Sequence, residues 1–106
     1  MRLSEALIQD LVARLVEAVH PTRIILFGSA ARGEMGPHSD VDLLVVVPDG
    51  VSQKDAWNRA YRGLKRFPYA KDLIVVHEGF LEAHQEDLGM VYREALREGR
   101  ELFHAA

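Results

Sequence analysis

The 106-residue chain contains no cysteine, which excludes disulfide cross-links, thiolate nucleophiles and cysteine metal sites. No apolar run approaches bilayer-spanning length, and the N-terminus lacks the basic, apolar and small-residue order of a signal peptide. The expected setting is therefore the cytoplasm, with no membrane partner. Asparagine occurs once, at Asn58, and three lysines stand against ten arginines, a bias in keeping with a thermophilic or GC-rich source. An excess of basic charge is also missing. The net charge is −3, which speaks against nucleic acid as the main partner. The five histidines, His20, His38, His77, His84 and His104, show no metal-site spacing such as His-Glu-x-x-His. No serine–histidine–acid set stands out, and repeats, linkers and low-complexity segments are absent.

What is present is an ordinary globular composition, 48% hydrophobic and 27% charged, sufficient for one domain with a modest core over residues 1–106. Its most informative stretch is Gly28 to Asp42, G-S-A-A-R-G-E-M-G-P-H-S-D-V-D, between the apolar runs Thr22–Phe27 and Leu43–Val47. Both runs are short, branched and bounded by turn residues, as strands are. Gly28 has no side chain, so a bound group can approach its backbone closely. Ser29 reads as an N-cap whose following N–H groups form an anion site. Asp40 and Asp42 alternate with Val41, so within a strand they project from one face. A phosphate cradle facing paired hard oxygen ligands suits metal-assisted phosphoryl chemistry.

The remaining chain reads mainly as helix. Ser4 caps a helix reaching about His20, with Leu3, Leu7, Leu11, Leu15 and Val19 along one face and Pro21 ending it. Pro48-Asp49-Gly50 closes the second strand. A second long helix is expected from Ser52 to about Phe67. Trp57, Tyr61 and Leu64 fall at helical spacing, with Ala56, Ala60 and Phe67 nearby, and this stripe is expected to pack on the sheet, the alternative being to stack a nucleobase. A third strand follows over Ala70–His77. Glu78–Asp87 and Met90–Glu98 read as two further helices divided near Gly89, with Gly99 as C-cap and a short Glu-Leu-Phe tail.

For the Gly-Ser and the carboxylates to meet, the first two strands must be antiparallel neighbours. The strand–helix–strand order makes the third strand parallel to the second. Asp72, at the start of the third, then lies level with Asp40 and Asp42, which nominates it as a third carboxylate. Three such groups repel one another unless a cation is bound, and magnesium suits the donors. His38 lies in the same loop and reads as solvent-exposed.

The pattern Gly28-Ser29, ten residues, Asp40-Val41-Asp42 resembles the signature of the DNA polymerase beta-like nucleotidyltransferase superfamily. With Ala31-Arg32-Gly33 and Ser39-Asp40-Val41-Asp42-Leu43 it is similar to the minimal nucleotidyltransferases, some of which are antitoxins paired with helical HEPN toxins. The resemblance covers nearly the whole chain. It implies an α/β (α+β) nucleotidyltransferase fold, here a mixed sheet of about three strands with helices mainly on one face. It also implies a third acidic residue on the following strand, which Asp72 matches. The expected activity is magnesium-dependent transfer of a nucleoside monophosphate, AMP from ATP, to a hydroxyl. In that scheme Asp40, Asp42 and Asp72 hold two magnesium ions and are the catalytic residues, and Gly28, Ser29 and Arg32 bind the nucleotide. Glycosyltransferases also use Asp-x-Asp with a metal, but they are usually far larger and leave the Gly-Ser unexplained. The second strand is apolar on both faces. The face bearing Leu44 and Val46 is therefore expected to meet a protein partner, either a HEPN-type toxin or a second copy. The alternatives to a transferase acting on a toxin are a non-catalytic module that sequesters one and a transferase acting on a small molecule.

Overall fold

The computed structural model describes residues 2–87 and 90–105. Nine elements follow in the order α1 (Glu5–Val19), β1 (Arg23–Phe27), α2 (Gly28–Arg32), β2 (Val41–Val47), α3 (Gln53–Gly63), β3 (Lys71–His77), α4 (Glu78–His84), α5 (Val91–Glu98) and β4 (Arg100–His104). The four strands form one sheet ordered β3-β2-β1-β4. β1 is antiparallel to β2 and β2 is parallel to β3, as the connections require.

The expectation of three strands is corrected by β4. The Glu-Leu-Phe tail pairs antiparallel with β1, Leu26 facing Arg100 and Arg23 facing His104, with a register shift between Ile24 and Ile25. Five residues without clean alternation carry too little periodicity to announce a strand. Gly99 precedes it with an extended backbone, φ −80° and ψ 171°. Glycine is needed there for space: a Cβ would lie 2.8 Å from both Ile25 Cγ2 and the Leu26 carbonyl oxygen.

Ser4 caps α1 through a 3.1 Å hydrogen bond from the Leu7 N–H, and the helix buries Ile8, Leu11, Leu15 and Val19. Ser52 caps α3 by accepting from Asp55 N–H. The second long helix was expected to reach Phe67 but ends at Gly63. Its end is set by α1. The Arg14 guanidinium donates to the carbonyls of Gly63 and Lys65, at 3.4 and 2.9 Å, satisfying groups that a further turn would have used. The aromatic stripe is also corrected. Ala56, Ala60, Leu64 and Phe67 are the buried residues, while Trp57 and Tyr61 are 38% and 50% exposed. The two small alanines let α3 sit close to the core, so the rings turn outward.

Helices α1 and α3 pack on the sheet face built from Ile24, Leu26, Leu43, Val45 and Val75. The opposite face, with Ile25, Phe27, Leu44, Val46 and Val76, is covered by Leu81 of α4 and by Val91, Tyr92, Ala95 and Leu96 of α5. The helices thus cover both faces, and Leu44 and Val46 are fully buried within the chain. The bare second face expected for a partner does not exist. The two C-terminal helices are shorter than read, and the expected break at Gly89 lies outside the described residues.

Candidate active site

The sheet brings three short segments to one end. Phe27, the last residue of β1, pairs with Asp42 on β2, and Asp42 pairs with Asp72 on β3. By strand alternation Asp42 and Asp72 share the face of Leu44 and Val46, the side on which α5 packs. Asp42 is partly buried, whereas Asp72 and Asp40 are exposed. Asp40 sits just before β2, where the Val41 N–H donates to the Ala70 carbonyl and ties the two strand starts together.

Gly28 turns the chain from β1 directly into α2 with φ +70°. This begins the helix two residues earlier than a Ser29 cap would, with Phe27 in the cap position and no side-chain cap bond. Ser29 therefore lies inside the first turn, its carbonyl accepting from Glu34 N–H at 2.9 Å. A Cβ on Gly28 would collide with Asp42 Oδ2 and lie 3.2 Å from its Cγ. The Gly28 backbone and the Asp42 carboxylate are thus in contact.

Arg32 lies on the same helical turn, but its Nε donates to Glu34 Oε1 at 3.1 Å. Both side chains are largely exposed, so this pair is weak and easily exchanged. His38 is exposed in the loop, as read. That loop is anchored by buried Met35 and by a hydrogen bond from Gly36 N–H to Ser39 Oγ.

The electrostatics centre on Asp42. Burial raises its pKa above the ordinary carboxylate value, and the charges of Asp72, Asp40 and Glu94 raise it further, with Arg32 opposing them. Glu94 on α5 was not legible in the sequence, where it is one more polar residue on the exposed face of an amphipathic helix. It borders a recess of about 400 Å³ over α5 with Met90, Arg93 and Arg97. Among the described residues no three His, Cys, Asp or Glu side chains are drawn together closely enough to cage an ion as they stand. The chemistry of the donors nevertheless suits a hard cation: Asp42 pairs with Asp72 at one sheet end and feels the charges of Asp72, Asp40 and Glu94, and such excess negative charge is costly without a cation.

Comparison with known proteins decides what this arrangement belongs to. The sequence profile described as a nucleotidyltransferase domain matches residues 8–101. The chain belongs to the nucleotidyltransferase domain family. A 59-residue stretch, 56% of the chain, is 39% identical to poly(A) polymerase PAPa of Candida albicans and covers 11% of that protein. The nucleotidyltransferase domain described above thus spans only a small part of this relative's length. Among solved structures, a toxin–antitoxin with AMP-PNP superposes with a TM-score of 0.65 at 20% identity, covering 92% of this chain and 73% of the other. A mutant of the toxin–antitoxin MntA-HpeT gives 0.67 at 16% identity with the same coverage. A candidate nucleotidyltransferase from Sulfolobus solfataricus gives 0.51 at 22% identity, covering 93% and 87% of the two chains. At these identities the likeness is one of fold. Among the described residues no helix is long and apolar enough to cross a membrane.

Proposed function

We propose that the chain is a magnesium-dependent nucleotidyltransferase that moves AMP from ATP to a hydroxyl. The acceptor lies on a partner protein of the HEPN toxin type, with this chain as its antitoxin. The observation that carries this reading is the contact between the Gly28 backbone and the Asp42 carboxylate, in a chain of the nucleotidyltransferase domain family. The choice of nucleotide and partner is supported by two toxin–antitoxin structures of the same fold, one of them with AMP-PNP.

Asp40, Asp42 and Asp72 are the residues that would hold two magnesium ions. Magnesium held there would supply charge neutralisation of the triphosphate and would favour the deprotonated form of the attacking hydroxyl. Gly28 and Ser29 receive the terminal phosphates through backbone N–H groups, which the missing side chain of Gly28 leaves accessible. Arg32 exchanges Glu34 for phosphate, a stronger charge-assisted partner. Asp72, the more exposed member of the paired carboxylates, accepts the proton of the incoming hydroxyl. The hydroxyl oxygen bonds to the α-phosphorus, the bond from that phosphorus to the α,β-bridging oxygen breaks, and pyrophosphate leaves with the electron pair.

The test supplies the purified chain, magnesium and host lysate with ATP labelled at the α-phosphate. One discrete labelled protein is expected, absent when Asp42→Asn replaces the unmutated chain. Nucleotide binding without any labelled protein would instead favour a sequestering module or a small-molecule acceptor.

A further inference from the structure

The outward turn of Trp57 and Tyr61 creates a surface that the transfer reading does not use. The two rings stack with centroids 5.1 Å apart and planes 11° from parallel. The Lys71 ammonium sits over the Tyr61 ring, 4.8 Å from its centroid. Trp57 is held in place by its indole N–H, which donates to the Leu73 carbonyl at 3.1 Å. A groove of about 430 Å³ lies between Trp57, Gln53 and Lys54 of α3 and residues Leu73–Val75 of β3. Gln53 is one helical turn before Trp57 and Tyr61 one turn after it. The groove therefore opens on the side of Trp57 away from Tyr61, and a flat ring entering it would become the third plane of the stack.

Charge is distributed in the same sense. From Gln53 to Lys71 the chain carries Lys54, Arg59, Arg62, Lys65, Arg66 and Lys71 against a single acid, Asp55. This segment is strongly cationic although the whole chain has a net charge of −3. Asp55, Arg59 and Arg62 border a different recess with Asn58, so the charges beside the groove and stack are those of Lys54 and of Lys71 over the Tyr61 ring.

We propose that this groove and stack bind single-stranded nucleic acid, with a base on Trp57 and backbone phosphates beside Lys54 and Lys71. A stacking platform flanked by cations is the usual recognition device for unpaired strands. The commonest way for a peptide to use a sheet edge is closed here. The edge carbonyls of β3 at Leu73 and Val75 already accept from Trp57 and Gln53, so an added strand would find them occupied. The surface follows α3 toward the start of β3 and ends at Lys71, one residue before Asp72. The proposal is independent of the transfer reading and is tested by binding alone.

Trp57 is the single tryptophan of the chain, so its emission reports directly on the groove. The unmutated chain is titrated with a ten-nucleotide oligouridylate, with a duplex of the same length and with poly-glutamate. The single strand is expected to quench the emission, with an affinity that falls steeply as salt rises. The double variant Lys54→Glu/Lys71→Glu reverses both cations and gives up the Lys71–Tyr61 contact while leaving Trp57 in place. It should bind at least tenfold more weakly and lose about 1.4 from the slope of log affinity against log salt. Trp57→Leu, followed by the anisotropy of a labelled strand, should weaken binding by about tenfold or more. The proposal is overturned if the single strand causes no quenching, or if it binds the charge-reversed variant equally well. It is likewise overturned if the duplex binds as tightly, or if poly-glutamate quenches as strongly, which would mark a docking site for an acidic protein segment.

Discussion

Gly28 and Asp42 approach so closely that one methyl group on the glycine would strike the carboxylate oxygen. Gly28 also holds φ at +70°, a conformation that costs an L-residue about 1–2 kcal/mol. Gly28→Ala should therefore lower stability by at least that amount, read from the urea midpoint, and should remove ATP binding. Gly50→Ala is the matched control, because a Cβ there meets nothing within 4 Å and should leave both properties unchanged.

The raised pKa of Asp42 makes stability depend on pH in a definite direction. Its folded-state value lies above the ordinary 3.8, first because of burial and then because of Asp72, Asp40 and Glu94. The folded chain therefore holds this proton more tightly than the unfolded one. The associated stability is fully present below the unfolded value and is lost as pH rises through the folded value. Without divalent ions, Asp42→Asn should melt at a higher temperature than the unmutated chain near neutral pH. The difference should vanish below about pH 4. Magnesium should raise the melting temperature of the unmutated chain but not that of Asp42→Asn.

The second sheet face is core. Leu44 is fully buried between β2 and the C-terminal helices, so Leu44→Ala should cost about 2–5 kcal/mol in chemical denaturation. Phe80 on α4 is 43% exposed and meets Tyr92 edge-on, so Phe80→Ala should cost less, about 1 kcal/mol. Equal losses at the two positions would contradict the packing described.

Beside the apolar packing of α1 and α3, Arg14 bridges the two helices by polar contacts. Arg14 pairs with Asp10 at 2.9 Å and donates to two carbonyls at the end of α3. Arg14→Met keeps much of the apolar stem and removes those bonds, so a loss of about 1 kcal/mol is expected. The matched Asp10→Asn change, which weakens only an exposed ion pair, should cost about half that or less.

The residues that place the candidate site were legible in the sequence because each obeys a strong local rule. Branched runs bounded by turn residues marked β1, β2 and β3, and the handed strand–helix–strand connection put Asp72 level with Asp42, the register observed. Three features were hidden for physical reasons. β4 owes its existence to the free edge of β1 rather than to any pattern in Arg100–His104. The orientation of α3 follows from Ala56 and Ala60, which allow close approach and outrank the larger but bulkier Trp57 and Tyr61. Glu94 acquires meaning only when α5 folds back over β1 and β2, a relationship between segments more than forty residues apart.

The proposed transfer of a nucleoside monophosphate takes place at the Gly28–Asp42–Asp72 end of the sheet. Parallel reactions with ATP labelled at the α- or the γ-phosphate, run with lysate as the acceptor source, test it most directly. The added chain should attach the α-label to the acceptor beyond what lysate alone attaches, and should attach no γ-label beyond the lysate background. Asp42→Asn should abolish attachment, and Asp72→Asn should slow it by about 10²–10⁴-fold. γ-Label attachment that depends on the added chain, or α-label transfer unchanged in Asp42→Asn, would rule it out.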